Sequence, residues 1–122
     1  MKTLSSLKVL VVEDEALVSM LVEDMLTDLG CTIVGPAAEI EEALRLAGSA
    51  DIDAALLDVN LGGRPIFPVA DALKARGVPF AFASGYGEAG LTEDHKGSTV
   101  LQKPFREADL RRVLETLVGQ TA

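Results

Sequence analysis

Apolar residues along the chain alternate between two spacings. Residues 7–12 (LKVLVV) are nearly all aliphatic, half of them β-branched, and run into acidic residues, the pattern of a strand covered on both faces. From 15 to 29 the spacing becomes helical: Val18, Val22, Met25, Leu26 and Leu29 share one stripe, and Gly30 supplies a stop. The alternation then repeats. A short strand over 32–35 is expected to break at Gly35-Pro36, and a helix over 39–47 turns Ile40, Ala43, Leu44 and Ala47 inward before Gly48. Residues 53–59 (DAALLDV) predict a third strand, Asn60-Leu61-Gly62-Gly63 a turn, and Pro65 the start of a helix running to about Arg76. Residues 79–83 and 99–101 predict a fourth and a fifth strand, with a helix weakened by Gly90 over 88–95 between them. Leu110, Val113, Leu114 and Leu117 mark a last helix over 107–118.

Strands and helices alternating in this way predict a parallel sheet with right-handed crossovers and helices on both faces, an α/β doubly wound (βα)5 domain. In such sheets ligands bind beyond the carboxyl ends of the strands. The 122 residues suit one domain, residues 1–122, with a folded core over about 7–118 and nothing after the last helix to serve as a separate output unit.

Composition narrows the functional classes. Hydrophobic residues at 48% against 25% charged argue against disorder, and the net charge of −8 argues against a nucleic-acid partner. Cys31, the single cysteine, has no partner within the chain and reads as a buried thiol in a reducing, cytoplasmic setting. Residues 1–6 lack the apolar run of a secretory signal, and no stretch approaches the ~18 apolar residues of a membrane span. His95, the lone histidine, is expected at the surface.

The polar residues then fall into place. Glu13 and Asp14 end the first strand, Asp58 the third, Ser84 the fourth, and Lys103-Pro104 the fifth. Taken alone each has an ordinary explanation: Asp14 can cap the following helix, Ser84-Gly85 is turn chemistry, and Lys103 can be a solvated charge. Together they put three carboxylates, a hydroxyl and an ammonium on one edge. Were the first and third strands neighbours, the carboxylates would repel one another unless a cation neutralised them. A hard, oxygen-loving ion such as Mg2+ suits that set, and no His or Cys cluster suggests zinc.

At these residues the sequence resembles the receiver domains of two-component response regulators. The resemblance rests on VVEDE at 11–15, LLDVNLGG at 56–63, FASGY at 82–86 and QKPF at 102–105, in that family's order and spacing. Residues 79–86 (PFAFASGY) further look like the FAT-GUY subgroup, linked to general stress signalling. The resemblance implies a flavodoxin-like five-stranded sheet in the order 2-1-3-4-5. It implies that Asp58 accepts a phosphoryl group from a sensor histidine kinase or a histidine phosphotransfer protein. Asp14, Glu13, Asp58 and the Asn60 main-chain carbonyl would bind Mg2+; Ser84 and Lys103 would meet phosphoryl oxygens. Pro104 would follow a cis Lys-Pro bond.

Phosphorylation would then bias the face formed by residues 88–118, and so the binding of an output protein, in a chain that is a signalling domain rather than an enzyme. Here the chain departs from the family's common pattern, with Val100 where most receivers carry an aromatic residue. Tyr86, the only tyrosine, is a candidate to couple the loop after Ser84 instead. A phosphate sink or relay intermediate is an alternative, and an aspartate-nucleophile phosphatase a more distant one, since Asn60 stands where such enzymes carry a second acid. A monomer or weak dimer, with no nucleic-acid or membrane partner, is expected.

Overall fold

Successive residues of a strand point to opposite faces, and in the computed structural model, which describes residues 4–85, 91, 95 and 97–119, each face of the sheet has its own core. Five strands, β1 (Lys8–Val12), β2 (Thr32–Ala37), β3 (Ala54–Asp58), β4 (Phe80–Ser84) and β5 (Val100–Gln102), form one parallel sheet in the order β2-β1-β3-β4-β5. Leu10, Val12, Ala55, Leu57 and Phe82 face helices α2 (Ile40–Ser49) and α3 (Phe67–Ala75), where Ile40, Ala43, Ala47, Val69, Ala70 and Leu73 meet them. The alternate residues Val9, Val11, Ala54, Leu56, Ala81 and Leu101 face α1 (Ala16–Asp28) and the C-terminal helix (Glu107–Gly119), through Val22, Leu26, Leu110, Leu114 and Leu117. This is the doubly wound arrangement that the alternation predicts, in the flavodoxin-like strand order that the resemblance implies.

Several local expectations are corrected. The second strand does not stop at Gly35-Pro36: it resumes pairing at Ala37 after a register shift, with Gly35 at φ +94° and the Gly35-Pro36 bond cis. As the sheet's edge strand, β2 has one side free of ladder bonds, so a proline there leaves the sheet intact. The helix expected from Pro65 begins at Phe67, with Pro68 in its first turn, because Asn60–Leu61 and Arg64–Pro65 pair as a two-residue antiparallel ribbon. Leu44, expected inward, is exposed, while Ile40, Ala43 and Ala47 are buried as the stripe predicts. His95 is not at the surface. It lies 8% exposed against Phe67 and Phe82, with Nε2 3.0 Å from Asp71 Oδ1. Cys31 is buried as expected, and Leu91 belongs to the first core. The helix expected over 88–95 falls mostly on residues outside those described.

Candidate functional site

Strand parity explains why three polar groups meet. On the face that packs against α1, Val11 of β1, Leu56 of β3 and Leu101 of β5 are core residues, and two positions further on stand Glu13, Asp58 and Lys103. β1 and β3 are neighbours with Val12 opposite Leu57, so the next residues, Glu13 and Asp58, sit side by side. Lys103 comes from two strands away, about 10 Å across the sheet, and its long side chain reaches over β4. Ala83 lies opposite Asp58 on β4, and its methyl group leaves room for the crossing. The Glu13 amide donates to the Ala37 carbonyl and the Lys103 amide to the Ser84 carbonyl, which fixes the backbone at both margins.

Carboxylate oxygens of Glu13, Asp14 and Asp58 lie within 4.8 Å of one another. Lys103 Nζ stands 3.2 Å from Glu13 Oε2 and 3.4 Å from Asp58 Oδ1. One ammonium among three carboxylates leaves two negative charges uncompensated when all are ionised, which a divalent cation cancels. The all-oxygen donor set suits a hard ion such as Mg2+. Glu13 is 5% exposed, and burial first, then repulsion from Asp58, push its carboxyl from the ordinary 4.5 to about 7, against the pull of Lys103. At Lys103 burial favours the neutral amine, but attraction to Asp58 and Glu13 outweighs it and leaves the ammonium's pKa raised.

The pH dependence follows from the sign of the Glu13 shift. The folded, metal-free protein binds a proton at Glu13 more tightly than the unfolded chain, so this stabilisation is complete below 4.5 and is lost as pH rises through about 7. The melting temperature of chelator-treated protein is therefore expected to fall as pH rises from about 4.5 to about 7. Glu13→Gln should flatten that slope and added Mg2+ should reverse it; stepped-pH calorimetry of both proteins provides the check. An identical slope in Glu13→Gln would remove Glu13 as its source.

Asp14 does not cap α1. The cap residue is Glu15, without a side-chain bond, and Asp14 Oδ2 instead accepts the Gly62 amide at 2.9 Å. Ser84 closes β4 with 4% exposure, Asn60 opens the ribbon and is exposed, and Pro104 is exposed after a cis Lys103-Pro104 bond. Val100 is half-buried in β5 against the first core. Tyr86 lies outside the described residues.

Sequence reasoning missed one neighbouring surface. Leu17, Met20 and Leu21 of α1 are 76%, 59% and 59% exposed, and a groove of about 280 Å3 beside them is lined by Val18, Leu21, Met25, Lys103, Pro104 and Phe105. The signal was present in the sequence, since apolar residues at 17, 20 and 21 form a second stripe on a helix whose first stripe is already buried. No helix among the described residues is long and apolar enough to cross a membrane.

Comparison with known proteins agrees with the geometry. Residues 9–115 match the family described as response regulator receiver domain. The chain is 32% identical over 111 residues to the phyllosphere-induced regulator PhyR of Methylorubrum extorquens, covering 88% of this chain and 42% of that one. It spans about half the length of the curated relatives it matches. Among solved structures, that of SdrG from Sphingomonas melonis Fr1 is similar at TM-score 0.81 and 39% identity, over 96% of this chain and 99% of that one. The receiver domain of the sensor histidine kinase PA1611 from Pseudomonas aeruginosa PAO1, solved with a magnesium ion coordinated in its active site cleft, is similar at TM-score 0.78 and 27% identity, over 94% and 99%.

Proposed function

The chain belongs to the response regulator receiver family, and from that premise we propose that it is a phosphoacceptor signalling module in which Asp58 takes a phosphoryl group from a phosphohistidine. The donor is a sensor histidine kinase or a histidine phosphotransfer protein. One observation carries this reading: the carboxylates of Glu13, Asp14 and Asp58 converge while Lys103 stands 3.4 Å from Asp58. In the transfer, an Asp58 oxygen forms the new P–O bond as the P–N bond to the donor imidazole breaks, and the imidazole leaves with that electron pair. Asp58 must react as a carboxylate, one oxygen of which supplies the electron pair for the new bond.

Glu13, Asp14, Asp58 and the Asn60 main-chain carbonyl are the groups that would hold Mg2+, which when bound offsets the charge of the phosphoryl oxygens. Lys103 is placed to pair with one of those oxygens. Ser84, at the end of β4, is the hydroxyl donor nominated for another. The acyl phosphate puts nearly two negative charges at the mouth of β3 where the carboxylate carried one, and drawing in Ser84 and its loop would bias the face formed by 88–118 toward an output protein. With Val100 in place of an aromatic residue, that readout passes through the loop and Tyr86 rather than through a ring on β5.

The groove beside the exposed α1 residue Leu21 shares Lys103 with the site, and Lys103 stands 3.4 Å from Asp58, so a donor that brings its phosphohistidine to Asp58 is placed to cover this face. The FAT-GUY-like run at 79–86 supports a place in general stress signalling. Acetyl phosphate tests the reading. With Mg2+ it should leave one phosphoryl adduct per chain by intact mass, and none with chelator, while a generic phosphomonoester should not be turned over. Sustained phosphate release from that ester, abolished by Asp58→Asn, would assign a phosphatase instead.

A further inference from the structure

We infer that the ribbon of Asn60–Leu61 and Arg64–Pro65 is a positioning element for Asp14, held over the site by the Arg64–Glu41 ion pair. The inference rests on the reading of Glu13, Asp14 and Asp58 as a cation site and adds residues on two other elements that govern it.

Asp14 is exposed, and an exposed carboxylate on a strand end turns freely unless something holds it. Here the Gly62 amide holds it, donating to Oδ2 at 2.9 Å. A hydrogen bond that orients a ligand in this way governs how tightly the ion is bound. The amide is itself placed by the ribbon. Leu61, 1% exposed, anchors one strand in the core; the Ile66 amide closes the base onto the Val59 carbonyl at 3.1 Å. Gly62 and Gly63, at φ +57° and +81°, supply the two left-handed residues that a two-residue hairpin turn requires.

A two-stranded ribbon this short is marginally stable on its own, so its tip needs a further tether to stay over Asp14. What resists that motion is the Arg64 guanidinium, which bonds the Glu41 carboxylate in the first turn of α2. Both side chains are largely exposed, at 58% and 67%, so the strap is weak and its removal should cost only a few-fold in cation affinity.

The sign of one substitution separates positioning from bare charge. Arg64→Gln removes a positive charge near a cation site, which by Coulomb attraction alone would tighten Mg2+ binding. If the strap positions Asp14, the same change should weaken binding, by roughly threefold. Mg2+ affinity is measured by isothermal titration of the full chain with MgCl2, alongside the melting temperature of the chelated protein. The expected results are weaker binding in Arg64→Gln and in Glu41→Gln, an unchanged melting temperature in both, and recovery of wild-type affinity in the charge swap Arg64→Glu with Glu41→Arg. Unchanged or tighter binding in Arg64→Gln overturns the inference while leaving the cation site standing. Absence of saturable Mg2+ binding in the wild type overturns both.

Discussion

Asp58→Ala is expected to abolish phosphoryl acceptance, lowering labelling by acetyl phosphate by more than about a hundredfold, to background. Neither neighbouring carboxylate can substitute. Glu13 is 5% exposed, with its two oxygens engaged by the Glu15 amide and by Lys103. Asp14 is turned toward the Gly62 amide, and Lys103 stands beside Asp58 rather than beside it. Misfolding is separable from loss of the acceptor. Repulsion from Asp58 is the second largest cause of the raised Glu13 pKa, after burial, so removing it relieves the metal-free site. The alanine variant should therefore melt no lower than wild type near neutral pH in chelator, while accepting no phosphoryl group. Wild-type labelling of Asp58→Ala, followed by intact mass, would move the acceptor elsewhere.

The alternation of strand and helix was legible because it is local: the short unbroken aliphatic run of Val9–Val12 and the helical spacing in α1 and the C-terminal helix are printed in neighbouring residues. The positions of Glu13, Asp58 and Lys103 were legible too, since each continues the parity of an apolar strand and needs only the strand order to bring them together. What escaped depends on partners distant in the chain. His95 is buried because Phe67, Asp71 and Phe82 surround it, residues that no window around position 95 contains. Leu44 shares the helical stripe of α2 yet is left exposed, because the stripe is wider than the face that the sheet and α3 cover. The ribbon was hidden for a different reason. Asn60-Leu61-Gly62-Gly63 reads correctly as a turn, but only the pairing with Arg64–Pro65 moves the helix start to Phe67 and brings an amide onto Asp14.

Asp14→Asn is expected to weaken Mg2+ binding by at least about tenfold to a hundredfold, the range found for outer-shell partners of metal ligands, because Asp14 is placed as a ligand itself. The amide keeps an acceptor oxygen for Gly62, so the ribbon need not move, but it removes one of the negative charges that make a divalent ion necessary. The central proposal is that the carboxylates of Glu13, Asp14 and Asp58, whose oxygens lie within 4.8 Å of one another, are the site that takes such an ion. The most direct measurement is a titration of chelator-stripped wild type and Asp14→Asn with MgCl2, followed by the heat released and by amide resonances at residues 13, 14 and 58. One saturable site in the wild type, centred on those three residues and lost or strongly weakened in Asp14→Asn, is the predicted result. Equal affinity in the two proteins, or resonance changes confined to other acidic residues, would contradict it.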